Sequence, residues 1–405
     1  MVPLSISQVP QSDASRGAPV SPNKPSSDES YSHSLGRSGD ESSRSRRALS
    51  SQRLKSQKEM WKLEQQVVGA LVRVDQDPPH DDSCVQENSL FYMVPGNHKD
   101  VYSFSPKPEL YGGVDVSFPV NDDDEAVAVY VVIDQRTMKV VYESHEYFTL
   151  DIPYIPGFLA FREIAPLQRL VLEQIEKYPN FTPKAILVDG NGILHPRHAG
   201  IACFLGTRTG IPTIGIGKTL MNVSGWTRNL VDEKVLQFVS DVHSMIGSSP
   251  RTFADSLSHH RGSIIQKTTA IVNAYDGCGD TDMKPPVGKV DMKEALHDLA
   301  PYCNGLAIPL VNDGSRKRPK DETDSHRFPV LGCALVGHGG QFSATIRSRP
   351  RAGSSRPIYV SVGHRMSLQE AVQIVASLSK HRIPEPVRQA DLYGRAMMRR
   401  QAAAR

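Results

Sequence analysis

Gly113-Val-Asp-Val-Ser117 alternates apolar and polar side chains as a β-strand does when one face is buried, and it carries a carboxylate, Asp115, inside the strand. Downstream, Ala126–Ile133 is a continuous apolar run and Val140–Leu150 a third stretch rich in aromatic and branched residues. Three strands at such short separations predict an antiparallel meander. A Pro/Gly turn, Pro153–Gly157, then leads into a helical pattern carried by Leu167, Leu170, Val171 and Ile175. A short buried strand, Ala185-Ile-Leu-Val-Asp189, a helical stretch around Ala199–Leu205 and a strand at Pro212–Ile216 follow. Strands alternating with helices pair in parallel through right-handed crossovers. The expected class is therefore α/β: a mixed sheet of three antiparallel strands plus parallel strands, with helices on both faces.

Residues 1–57 are rich in Ser, Arg, Pro and Asp and nearly free of aromatics, the composition of a disordered N-terminal tail. Met60, Leu63, Val67 and Leu71 recur at helical spacing and predict a first amphipathic helix over 58–72. Residues 75–108 read as a long loop. An insertion is expected at about 241–327, which includes the basic run Arg316-Lys-Arg-Pro-Lys320. Order resumes at Pro329–Leu335 and Pro357–Val362, with a helix over Leu368–Leu378 and a last one after Pro386. The folded domain is expected over 58–395, with 396–405 as a C-terminal tail.

The composition is permissive. Of 405 residues, 39% are hydrophobic, enough for a core, and the formal charge of +3 only mildly favours an anionic partner. Five cysteines (Cys84, Cys203, Cys278, Cys303, Cys333) form no CxxC pair, which argues for reduced thiols and against a disulfide frame or a zinc site. No apolar run approaches the roughly 18 residues of a membrane span, and the first thirty residues lack a secretory apolar stretch. A protein inside the cell, with no membrane partner, is expected.

Several polar residues sit where chemistry could use them. Asp115 lies within an apolar strand and Asp189 ends another. A buried carboxylate is costly unless its charge is compensated. Either alone reads as a cap, but two on neighbouring strands repel unless a cation lies between them, and magnesium favours a few carboxylates plus water and phosphate. Glu163, at the start of the helix after the Pro/Gly turn, alone suits a helix N-terminus; beside the two aspartates it is a candidate third acid. Gly190-Asn-Gly192 and His195-Pro-Arg197 form a turn running into a helix, where backbone N–H groups could meet a phosphate or a base edge. Lys218 closes Ile214-Gly-Ile-Gly-Lys218, but Pro212 stands where a Walker loop needs glycine, leaving a lysine suited to phosphate or a metal-bound water. His364 also follows a strand, and the expectation is that all these strand-end groups share one crevice. Tyr154, in a rigid turn, suits a wedge that opens a base stack when a nucleotide is flipped out.

Together these motifs resemble the endonuclease V family: Gly113–Ser117, Pro153-Tyr-Ile-Pro-Gly-Phe-Leu-Ala-Phe-Arg-Glu163, Val188-Asp-Gly-Asn-Gly-Ile-Leu-His-Pro-Arg197, Pro212-Thr-Ile-Gly-Ile-Gly-Lys218, Val360-Ser-Val-Gly-His-Arg-Met-Ser-Leu368 and Arg382-Ile-Pro-Glu-Pro-Val-Arg-Gln-Ala-Asp391. The resemblance covers residues 58–75, 110–235 and 328–395. It implies a ribonuclease H-like sheet and a Mg²⁺-dependent cut on the 3′ side of inosine, leaving 5′-phosphate and 3′-hydroxyl ends, with Mn²⁺ able to substitute. By motif position Asp115 and Asp189 resemble the metal-binding aspartates and Glu163 the third acid. Lys218 and His364 resemble supporting catalytic residues, and Tyr154 the strand-separating wedge. The glycine-rich turns at Gly190 and Gly192, with His195 and Arg197, would meet the nucleic acid.

The chain departs from the family pattern at Phe204, where histidine is usual, and at Gly217, where alanine is usual. An extra segment at about 336–346 separates Leu335 from Arg347. The implied partner is inosine-containing single-stranded RNA or DNA, handled by a monomer. The tail and basic run, eukaryotic in character, suggest the nucleus (including the nucleolus) and cytoplasm. The alternatives are a binding protein for inosine or branched nucleic acid that does not cut, and another ribonuclease H-like nuclease or resolvase.

Overall fold

A computed structural model of the protein describes residues 39–75, 92–95, 109–119, 125–150, 152–246, 303–312, 327–337 and 354–404. The chain divides into two units, Met1–Lys55 and Ser56–Arg405. The second contains a nine-stranded sheet built from β1 (Tyr92–Pro95), β2 (Leu110–Ser117), β3 (Glu125–Asp134), β4 (Lys139–Thr149), β5 (Ala185–Asp189), β6 (Thr213–Gly217), β7 (Cys303–Val311), β8 (Val330–Val336) and β9 (Ile358–His364). Their spatial order is β1-β7-β8-β9-β6-β5-β2-β3-β4. Strands β2, β3 and β4 form the expected antiparallel meander. Strands β2, β5 and β6 pair in parallel, and β9, β8, β7 and β1 extend the sheet antiparallel.

Among the described residues six α-helices accompany the sheet: α1 (Gly39–Leu71), α2 (Leu159–Lys177), α3 (Ile201–Thr209), α4 (Arg228–Ile246), α5 (Leu368–Ser377) and α6 (Glu385–Ala404). The alternation in β3 shows why both faces are covered. Ala128, Tyr130 and Val132 join Ile164, Leu167 and Val171 of α2 in the main core, whereas Val127, Val129 and Val131 pack with Ala390 of α6 on the opposite side. Helix α6 lies along β2 in close contact. A Cβ on Gly113 would come within 2.2 Å of the Pro386 carbonyl oxygen, and one on Gly394 within 2.4 Å of Ser117 Oγ. Eight helical residues rise about 12 Å and four strand residues about 13 Å, so helix and strand stay in step. Asp391 therefore arrives level with Asp115.

The structure corrects several expectations. Helix α1 begins at Gly39, not Lys58; the intervening segment has no proline or further glycine and contains good helix formers such as Ala48, Leu49, Arg53 and Leu54. The face of α1 also differs. Trp61, Gln65, Val68 and Val72 are buried, Trp61 stacking on Phe161 with centroids 5.0 Å apart, while Met60, Leu63, Val67 and Leu71 are exposed. The segment 75–108 includes β1, and the expected insertion at 241–327 includes the end of α4 and strand β7. Pro309 lies within β7 opposite Cys333 of β8, beyond Ala307, where the pairing with β1 stops. Residues 396–404 are not a tail: α6 continues through them, and Gln401 Nε2 donates to Glu125 Oε2 at 2.6 Å.

Residues 1–38, the basic run 316–320 and most of the extra segment at 336–346 lie outside the described residues. Among the described residues, Cys203 and Cys333 are free and buried, and no helix is long and apolar enough to cross a membrane.

Candidate active site

The parallel register pairs Val114 with Val188, so Asp115 and Asp189 emerge next to each other on β2 and β5. The two carboxyl groups are close enough to act on each other electrostatically. Ser117 Oγ donates to Asp115 Oδ2 at 3.4 Å. Burial, then Asp189, holds the Asp115 carboxyl well above the usual carboxylate range; Lys218 opposes the shift and Asp391 adds to it. Lys218 follows β6, and its Nζ forms an ion pair with Asp189 Oδ2. Burial works against the Lys218 charge, but Asp189, Asp115 and Asp391 outweigh it and keep the ammonium protonated above its ordinary range.

Glu163 stands in the second turn of α2, too far in for a helix N-terminal role. Burial, then Asp189, pushes its pKa up to about 8, with Arg162 opposing. Arg162 lies over the Phe118 ring at 4.9 Å, which ties the end of β2 to α2 beside the acids.

No three His, Cys, Asp or Glu side chains among the described residues close around one point as a complete metal cage. The arrangement is two carboxyls on neighbouring strands, Asp115 and Asp189, with Asp391 and Glu163 close enough to perturb the group electrostatically. These are hard oxygen donors, and their mutual repulsion is what a bound cation relieves. The set fits Mg²⁺, which takes one or two carboxylates and completes its shell with water and phosphate.

The sequence alone gives Asp391 no role. Its place follows from α6 lying in step with β2, which only the Gly113 and Gly394 contacts disclose. It also pairs with Arg395 at 2.9 Å.

His364 does not join the acids, contrary to the single-crevice expectation. It pairs with Thr213 at the start of β6, whereas Gly217, next to Lys218, pairs with Tyr359. Four strand residues, about 13 Å, separate the two ends. Lys218 follows β6 and His364 ends β9, but β9 runs antiparallel to β6, so its end points away from the acids. His364 Nδ1 instead accepts from Arg73 N at 3.3 Å, and burial followed by Arg365 and Arg73 lowers its pKa.

The glycine turn is also used differently. Gly190 N donates to Ile216 O at 3.2 Å and Gly192 N to Ser361 Oγ at 2.8 Å, so these amides serve the sheet and not a nucleic acid. Gly190 has φ +142°, and a Cβ on Gly192 would sit 2.1 Å from the Val362 carbonyl oxygen. Gly217 has a similar reason: a Cβ there would approach Asn191 Oδ1 to 2.8 Å.

His195 and Arg197, expected at a nucleic-acid surface, are buried. His195 Nδ1 accepts from Arg197 N at 3.2 Å, which leaves the proton on Nε2 to donate to Gly157 O at 3.1 Å. Burial, then Arg197, lowers the pKa of His195 to about 3, so it stays neutral. Arg197 Nη2 donates to the same oxygen at 2.7 Å, and its guanidinium lies 4.5 Å over the Phe158 ring. Gln65 of α1, which sequence reasoning missed, gives that oxygen a third hydrogen bond at 2.9 Å and accepts from Arg197 Nε. All three side chains grip one turn, Ile155-Pro156-Gly157-Phe158, closed by Phe158 N to Ile155 O at 3.0 Å, with Gly157 at φ +79°. Tyr154, just ahead of it, is 66% exposed. A large apolar ring on a clamped turn has the geometry of a wedge.

Phe204 lies in the core against Phe161, ring centroids 5.2 Å apart, so the departure from histidine there supplies packing.

Sheet order, strand directions and the acid pair define the ribonuclease H-like class of nuclease fold. The family model for Endonuclease V matches residues 98–258 and 313–392, leaving out a shorter segment than the expected insertion. Human Endonuclease V is 33% identical over 289 residues, 71% of this chain and 71% of that protein. The crystal structure of the catalytic domain of human Endonuclease V superposes with a TM-score of 0.52 at 30% identity, covering 86% of this chain and 98% of that one. Ciona intestinalis Endonuclease V, solved with a 24mer DNA containing an inosine followed by a ribo-adenosine, shares the fold at TM-score 0.50 and 23% identity, covering 85% of this chain and 99% of that one. The chain belongs to the Endonuclease V family. It is an endonuclease, a hydrolase acting on nucleic acid.

Proposed function

We propose that the protein is a Mg²⁺-dependent endonuclease that hydrolyses a phosphodiester bond on the 3′ side of inosine in single-stranded RNA or DNA. The observation that carries this reading is the pair Asp115–Asp189 at adjacent positions of β2 and β5, with Lys218 ion-paired to Asp189 and with Glu163 and Asp391 close by. Asp115 and Asp189 would hold the ion, and Mn²⁺ can replace it. When bound, the metal lowers the pKa of water and neutralises charge on the phosphate. Glu163, protonated near neutral pH in the metal-free site, is poised to exchange a proton with the attacking water or the leaving oxygen. Lys218 supplies positive charge to the phosphate as negative charge develops there. Asp391 adds a further acceptor level with Asp115. Tyr154 fills the gap left in a stack when the base is turned out.

Support for inosine comes from the family motifs and from the inosine-containing DNA bound by the Ciona protein. Flipping costs least from single strands, which favours unpaired substrates. Matched RNA and DNA oligomers, each with and without one inosine, test the reading when incubated with the protein and Mg²⁺. Cleavage of both inosine strands, RNA at least as fast as DNA, is expected. Equal cutting of inosine-free strands contradicts it.

A further inference from the structure

Three arginines from separate segments gather at the Lys218 end of β6. Arg382, ahead of α6, donates from Nη2 to the carbonyl oxygens of Lys218 at 2.5 Å and Pro357 at 2.9 Å, and from Nε to Arg356 O at 3.3 Å. This ties the end of β6 to the start of β9. Arg356, just before Pro357, is exposed. Arg228 opens α4, with Nε on both oxygens of Asp232 at 2.8 and 2.9 Å, and it lies close enough to Tyr359 of β9 to act on it electrostatically. Tyr359 pairs with Gly217, so the start of β9 lies beside the end of β6 that leads into Lys218.

Gathering like charges is unfavourable. After burial, Arg356 and Arg228 both act against the charge of Arg382. The acids Asp115, Asp189, Glu163 and Asp391 by themselves repel a polyanion. A strand that reaches Lys218 with one phosphate can set a neighbouring phosphate against these arginines, since Arg382 is bonded to the Lys218 carbonyl itself. Guanidinium groups are the side chains best matched to phosphate, through paired N–H donors.

We infer that Arg228, Arg356 and Arg382 form a phosphate-binding subsite that holds the nucleic-acid backbone next to the scissile bond. This rests on the nuclease reading above but specifies contacts that are independent of base and sugar. The subsite guides the strand past the acids, and its effect falls with salt as released counterions do.

The test uses the full chain with Arg228→Gln/Arg356→Gln, leaving Arg382 and its backbone bonds intact. Binding of a fluorescent single-stranded inosine oligomer is measured by anisotropy with chelator present, from 50 to 200 mM salt. Each lost phosphate contact should lower the slope of log K against log salt by about 0.7, so the double variant should lose roughly 1.4 and bind several-fold to about tenfold more weakly at low salt. With Mg²⁺, KM should rise while kcat changes less than about twofold. Arg228→Lys/Arg356→Lys, which keeps the charges, should restore the slope. An unchanged slope in a folded Gln variant overturns the subsite. Failure of the wild type to cut inosine strands would instead overturn the proposed specificity, and the binding slope would still decide the subsite.

Discussion

Arg197 and Gly157 are joined by a 2.7 Å hydrogen bond from guanidinium to carbonyl oxygen, and Gln65 and His195 donate to the same oxygen. A carbonyl has two lone pairs, so three donors leave it little freedom. The turn that carries Tyr154 is therefore fixed from behind by α1 and by the segment after β5. If the clamp acts through Tyr154, Gln65→Leu and Tyr154→Ala should not add. The double variant should cleave inosine strands no more than about twofold slower than the worse single variant. Fully multiplicative losses in this cycle would assign Gln65 to folding alone.

The buried His195 makes the fold sensitive to acid. Its pKa is about 3 in the folded protein and near 6.5 when unfolded, so between these values the unfolded chain binds the extra proton. Stability is thus complete above pH 6.5 and falls as pH drops. Its share of the loss should be about 2 kcal/mol at pH 5. Denaturant unfolding at pH 5 and 7.5 should show a steeper loss in wild type than in His195→Gln. Parallel losses in the two proteins contradict the buried neutral histidine.

Asp115→Asn should abolish cleavage and yet stabilise the metal-free protein, by about 1–3 kcal/mol, because it removes an acid raised by burial and by Asp189. Asp189→Asn should stabilise less, since it also deprives Lys218 of its partner. Thermal unfolding with and without Mg²⁺ checks both: the metal should raise the wild-type midpoint and leave Asp115→Asn nearly unmoved. A midpoint shift equal to wild type in that variant places the ion elsewhere.

His364→Asn should keep kcat within about threefold of wild type, because the residue sits a full strand length, about 13 Å, from Lys218. A hundredfold loss of kcat with unchanged stability would return it to the chemistry.

Most of the sheet was legible in the chain itself. Alternation marked β2, continuous apolar runs marked β3 and β5, and carboxylates inside such strands exposed Asp115 and Asp189 as unusual. The misreadings have physical causes. Strand ends are visible in a sequence but strand direction is not, and that misplaced His364. Helix-to-strand register is equally invisible, so the sequence alone gives Asp391 no role. Strand β7 fell inside the expected insertion at 241–327, because one of the two strands it pairs with, β1, lies some two hundred residues away in sequence. The stripe Met60, Leu63, Val67 and Leu71 obeys helical spacing as well as the buried set around Trp61, and only packing against Phe158 and Phe161 decides between them. His195 and Arg197 looked like surface ligands because burial of polar groups depends on distant partners such as Gly157.

The most direct test of the account is Mg²⁺-dependent cleavage of one single-stranded RNA oligomer containing a single inosine, by wild type and by Asp115→Asn. One cut on the 3′ side of the inosine by wild type, lost with chelator and lost in the variant, is the predicted result. Cleavage by Asp115→Asn at the wild-type rate, or cutting by wild type that ignores the inosine, would contradict it.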